Sequence, residues 1–121
     1  MSPKTEAAIS FLQANLHRSL TVTQIAESVG LTRSRLSHLF KTQVGTSPMQ
    51  YLKSARLEKA RELLETSLMS VKEIASEIGY NDCTRFMREF KVVYGSRPSQ
   101  YRASCLNSGA DSLAPEGRKI R

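Results

Sequence analysis

Leu20-Thr-Val-Thr-Gln-Ile-Ala-Glu-Ser-Val-Gly30 and Met69-Ser-Val-Lys-Glu-Ile-Ala-Ser-Glu-Ile-Gly79 are two versions of one pattern. The match continues downstream, where Phe40-Lys41, Gly45, Pro48 and Gln50-Tyr51 pair with Phe90-Lys91, Gly95, Pro98 and Gln100-Tyr101, with one extra residue in the second copy. Two copies are too few for a solenoid, which needs at least three. The repeat therefore describes two small units of the same design.

Each copy reads as a short helix, a tight turn and a second helix. In the first, Thr23 is the candidate cap of a helix with Ile25, Ala26 and Val29 on one face, and Gly30 follows as its stop. Thr32 then caps a second helix whose apolar positions Leu36, Leu39, Phe40 and Val44 keep helical spacing until Gly45. The second copy has Ser70 as cap, Ile74, Ala75 and Ile78 inward, Gly79 at the turn, and then Phe86, Phe90 and Val93 inward. Two helices joined by a short glycine-containing turn fit the helix-turn-helix pattern, here near 23–44 and 71–94.

Working outward, Pro48 suits a first helical turn, and Leu52, Ala55, Leu57, Ala60, Leu63 and Leu64 extend the periodicity to about 65, which predicts a long linker helix over 48–65. A further helix is expected from Thr5 to Leu16, and a short one opening at Pro98. From Ser104 to Arg121 the sequence is small, polar and aperiodic and reads as a flexible tail, so the folded domain is placed at 5–103.

Composition narrows the class. With 121 residues, 40% hydrophobic and 24% charged, the chain matches an ordinary globular domain. No apolar run approaches the roughly 20 residues that span a bilayer, and the first residues lack a secretory pattern, so a cytoplasmic, nucleoid-associated location is expected. Cys83 and Cys105 stand far apart without a C-x-x-C partner and are expected as free thiols, with no metal or other cofactor. No nucleophile elbow or phosphate loop is present and the two histidines fall in different helices, so no enzyme and no catalytic residue is expected. The net charge of +7 favours a polyanion.

Where a polyanion would bind follows from helical geometry. With Leu36 inward and about 100° per residue, Ser34, His38 and Lys41 point outward, flanked by Arg35 and Ser37. Around Phe86 the same placement turns Thr84, Arg88 and Lys91 outward, with Arg85 and Met87 at the sides. Arg can pair bidentately with guanine, Ser, Thr and His share hydrogen bonds with base edges, and Met can touch a thymine methyl. Lys41 and Lys91, near the helix ends, suit phosphates as well. A basic outer face on one amphipathic helix is ordinarily just a solvated face. Its recurrence at the same offsets on both second helices points to a partner. A linker of about 17 residues is about 25 Å long, commensurate with two recognition helices one DNA turn apart, about 34 Å; any difference implies bent DNA.

These residues resemble the AraC/XylS family of transcription regulators. The resemblance covers most of 5–103 and rests on Ile-Ala-x-x-x-Gly, on Leu-Ser-His-Leu-Phe-Lys ahead of Gly45 and Pro48, on Arg56-Leu-Glu-Lys-Ala-Arg-Glu-Leu-Leu64, and on Phe-Met-Arg-Glu-Phe-Lys ahead of Gly95 and Pro98-Ser-Gln-Tyr-Arg102. It implies an all-α fold, a seven-helix, homeodomain-like pair of helix-turn-helix subdomains joined by a long linker helix. It also implies sequence-specific binding of double-stranded operator DNA, with recognition helices in successive major grooves. Base contacts would fall at Ser34, Ser37, His38, Cys83, Thr84, Met87 and Arg88, and backbone or flanking contacts at Arg35, Lys41, Arg85 and Lys91. All but Cys83 of those base-contact positions also emerge from the helical geometry; Cys83 reads equally as a half-buried small residue.

The chain departs from the commoner Ser-Tyr-Phe-Ser-Arg of the family with Thr84-Arg85-Phe86-Met87-Arg88, which implies a different operator. RNA polymerase is a further partner implied by the resemblance, although Glu27, Glu58 and Glu62 read first as ordinary surface acids and no contact residue is assigned. An effector is expected only if a separate N-terminal domain exists. The competing reading is a nonspecific basic helical module for nucleic acid or protein.

Overall fold

Both copies of the repeat begin at a capping box. In the computed structural model, which describes residues 2–111, the Thr21 hydroxyl accepts from Gln24 N at 3.1 Å while the Gln24 side chain accepts from Thr21 N at 2.9 Å. Ser70 and Glu73 repeat the arrangement at 3.0 and 2.8 Å. The helices so started are α2 (Val22–Ser28) and α5 (Val71–Glu77). Thr23 is therefore not the first cap. The Thr-x-x-Gln spacing satisfies two orphan amides at once, and Thr21 stands where Ser70 stands in the second copy. Thr21→Ala is expected to cost about 1 kcal/mol and Thr23→Ala less than about 0.5 kcal/mol, with urea denaturation as the measurement.

The remaining helices are α1 (Pro3–Ala14), α3 (Arg33–Gln43), α4 (Pro48–Thr66), α6 (Cys83–Tyr94) and α7 (Pro98–Asp111), and the described residues contain no strand. The all-α, seven-helix expectation agrees with this order. Contacts divide the chain into two compact units, Met1–Lys59 and Ala60–Arg121, with α4 contributing residues to each.

In the first unit, α1 starts at Ser2, whose hydroxyl accepts from Thr5 N, and Pro3 occupies the first helical turn. The helix thus opens two residues before the expected Thr5. Ala8 and Leu12 of α1, Leu20, Ile25 and Ala26, Leu36 and Phe40 of α3, and Leu52 of α4 form one buried cluster. Tyr51 meets Phe40 edge-on at 5.9 Å between centroids.

The second unit repeats the theme with more aromatic rings. Ile74, Ala75, Ile78, Phe86 and Phe90 are buried, and Tyr101 meets Phe90 edge-on at 5.7 Å, the counterpart of Tyr51 on Phe40. Val93, expected inward, is 55% exposed. Tyr94, one full turn beyond Phe90, covers that ring instead, with centroids 4.6 Å apart; a large aromatic at i+4 displaces a smaller side chain at i+3 from the same face.

The last helix corrects the expected boundary at Ser104, because α7 continues to Asp111. Its first turns are anchored: Tyr101 bonds to Glu65, and Arg102 donates to the carbonyls of Leu63, Leu64 and Ser67. Once a turn is fixed, each further residue adds a hydrogen bond at little cost, so weak helix formers follow. The remainder of the expected tail, 112–121, lies outside the described residues.

Candidate nucleic-acid interface

The second helix of each pair is aimed by its cap and the turn before it. Gly30 takes φ 72°, a left-handed conformation that favours glycine, and lets Leu31 N reach Ala26 O at 2.9 Å. The Lys4 ammonium donates to Val29 O at 2.8 Å, securing the same turn from α1. Thr32 then caps α3 by accepting from Arg35 N at 3.1 Å. In the second unit the cap is Asp82, whose carboxylate accepts from Thr84 N at 3.0 Å and Arg85 N at 3.4 Å. A carboxylate there also complements the positive end of the helix dipole.

On α3, Ser34, Arg35, Ser37, His38 and Lys41 are all exposed, while Leu36, Leu39 and Phe40 are buried. No acid occurs between Arg33 and Gln43, so every charge on this helix attracts phosphate. Val22, Thr32, Arg33, Ser34 and Ser37 line an open depression at the start of α3. Arg33 was absent from the predicted set; its signal was a basic residue directly after a cap, where the helix N-terminus itself favours anions.

On α6, Thr84, Arg85, Arg88 and Lys91 are exposed, and Cys83 and Met87 are half-buried. Cys83 therefore fits the small half-buried reading as well as a contact at the helix edge, and both cysteines are free thiols. The one acid of this helix, Glu89, bonds Arg85 Nε at 3.0 Å and the Tyr80 hydroxyl at 2.6 Å. The Glu89 bond raises the Arg85 pKa above its ordinary value, as expected for a guanidinium paired with a carboxylate. The i,i+4 spacing of Arg85 and Glu89 was legible in the sequence, whereas the share taken by Tyr80 was not.

Among the described residues no cluster of His, Cys, Asp or Glu is arranged to hold a metal, and no helix is long and apolar enough to cross a membrane. Two exposed, largely basic helix faces are the chemistry the chain presents.

Residues 25–104 match a family profile described as a helix-turn-helix domain. The chain belongs to the AraC/XylS family. This AraC-type domain is 42% identical over 97 residues to the raffinose operon transcriptional regulatory protein RafR of Pediococcus pentosaceus, covering 80% of this chain and 35% of that protein. It is 33% identical over 106 residues to the arabinose operon regulatory protein of Escherichia coli K12, covering 87% of this chain and 36% of that protein. The AraC-type domain thus spans about a third of the length of these two relatives.

Solved structures agree on the fold. An AraC-type transcriptional regulator from Chromobacterium violaceum aligns with a TM-score of 0.81 at 32% identity, over 85% of this chain and 92% of that one. The DNA-binding domain of AdpA, a global transcriptional factor solved with a target DNA, aligns with a TM-score of 0.82 at 28% identity, over 96% and 100%. The AraC-type chain is accordingly a DNA-binding domain of the kind found in transcription regulators.

Proposed function

We propose that α3 and α6 enter successive major grooves of an operator and read it directly. In this reading Ser34, Ser37 and His38 of α3, and Cys83, Thr84, Met87 and Arg88 of α6, meet base edges. Arg35, Lys41, Arg85 and Lys91 meet phosphates or flanking positions. Supporting it above all is the exposure of the same polar and basic offsets on two separately capped second helices, whose apolar sides are buried. A domain similar to this one was solved on its target DNA.

The operon regulators similar to this chain suggest that the operator lies in a promoter, with RNA polymerase as a further partner and a bacterial nucleoid as the setting. A small-molecule effector belongs to this reading only if a separate N-terminal domain exists.

Selection of duplexes from a random pool, followed by competition binding, tests the assignment. Arg88→Ala is expected to relax base preference at one position by about 1–3 kcal/mol, and Lys91→Ala to weaken all duplexes alike and lower the salt slope by about one. Equal losses on every duplex for both variants would instead describe a nonspecific electrostatic binder.

A further inference from the structure

Glu89 is an acid on a helix whose other charges, Arg85, Arg88 and Lys91, are basic. Close to phosphate its charge would be repelled, so the groups that hold it here decide what it does. Its side chain is only 14% exposed and both of its oxygens are engaged. Tyr80, which holds Oε1, is itself fixed: its backbone N donates to Ala75 O at 2.9 Å, and its ring packs on buried Phe86 with centroids 5.5 Å apart. A continuous connection therefore runs from the core through Tyr80 and Glu89 to the Arg85 guanidinium.

The same three residue types meet elsewhere in this unit, which helps to identify what is special here. Arg61, Glu65 and Tyr101 also form a linked set, but Arg61 lies over the Tyr94 ring at 6.0 Å and its side chain is 32% exposed. Those groups join α4 to α7 and read as packing. Arg85, by contrast, keeps 61% of its side chain exposed and belongs to the first turn of the recognition helix. Glu89 engages its Nε at 3.0 Å, and Arg85 is the more exposed of the two arginine side chains.

We propose that Glu89, fixed by Tyr80, is a positioning residue that aims the Arg85 guanidinium beside Thr84 and Arg88 and thereby sharpens discrimination between the domain's own site and random duplex. This rests on α6 meeting DNA as set out above. An unrestrained arginine adapts to any nearby phosphate. One held through Nε offers its fork in a single direction, gains most when the helix sits in its proper register, and loses less rotamer freedom on binding there. Glu89 meanwhile repels phosphates in every other register, so it acts on both sides of the ratio.

The test measures affinity of the 121-residue chain for a selected duplex and for random-sequence duplex, in Glu89→Leu, Arg85→Ala and the double variant. Glu89→Leu is expected to lower the specific-to-random ratio about three- to tenfold, through weaker specific and equal or tighter random binding. In the Arg85→Ala background only the lost repulsion remains, so the further drop should be clearly smaller than in the presence of Arg85. Tyr80→Phe, which keeps both charges and removes the hydroxyl, should lower the ratio in the same direction and be silent in that background, while melting temperature tracks any loss of fold. An unchanged ratio in Glu89→Leu and Tyr80→Phe, or an equal drop with Arg85 absent, overturns the positioning role. If Arg88→Ala still lowers the ratio in that case, only this role falls; if Arg88→Ala is silent too, the reading of α6 as a recognition helix falls with it.

Discussion

Phe90→Ala is expected to destabilise the second unit by about 3–5 kcal/mol, the range for deleting a fully buried aromatic ring. Phe90 has no exposed surface, and Phe86, Tyr94 and Tyr101 surround it at 5.9, 4.6 and 5.7 Å between centroids. Those rings come from α6 and α7, so the cavity would lie where two elements meet, and rigid rings collapse into it poorly. Total stabilities of domains this size are about 5–15 kcal/mol, so the variant would sit close to unfolding. Urea denaturation followed by circular dichroism measures the loss, and Phe90→Leu, which refills much of the space, should recover part of it. A loss below about 1 kcal/mol in Phe90→Ala would show that the aromatic cluster is not the core of this unit.

Arg102→Ala should cost about 2–4 kcal/mol. The last carbonyls of a helix lack intrahelical donors, and around the end of α4 the Arg102 guanidinium adds donors, with Nε on Leu64 O at 3.2 Å and Nη2 on Ser67 O at 3.1 Å and, at 3.4 Å, on Leu63 O, which also accepts from Ser67 N. Its positive charge also lies at the negative end of the helix dipole. Arg56 serves the chain leaving α1 in the same way, donating to Leu16 O at 2.9 Å and Arg18 O at 2.6 Å. Arg102→Lys should restore only a minor share, because a single ammonium cannot span carbonyls that a planar fork reaches together. Thermal and urea unfolding decide this, and a loss under about 0.5 kcal/mol, typical of an ordinary surface position, would contradict it.

Tyr101 adds to the same junction. Burial, and after it the bond to Glu65, raises its pKa, so the phenol remains a neutral donor to that carboxylate. The anchoring of α7 thus uses two consecutive residues, Tyr101 toward Glu65 and Arg102 toward the end of α4.

Much of the candidate interface was legible because it depends on local rules. Buried Leu36 and Phe86 each imply, through helical periodicity alone, which neighbours face water, and Ser34, His38, Thr84 and Arg88 are exposed accordingly. The cap at Thr21 was legible too, given the alignment with Ser70 and the Gln24 three residues on, but the choice of Thr23 passed over that reciprocal pair. Half-buried Met87 and Cys83 mark where periodicity loses resolution, at the border between the two faces.

The sequence by itself determined which helices form among the described residues, in what order, where each pair turns and which side of each second helix is polar, since caps, glycines and apolar spacing act within a few residues. Only the tertiary structure decided that Tyr94 rather than Val93 covers Phe90, that α7 runs past Ser104, and that Arg56, Arg102 and Tyr80 meet their particular acceptors. Those outcomes depend on which groups the fold brings together from distant positions: a guanidinium bonds to the carbonyls that lie within its reach in space, and no local pattern records where they are.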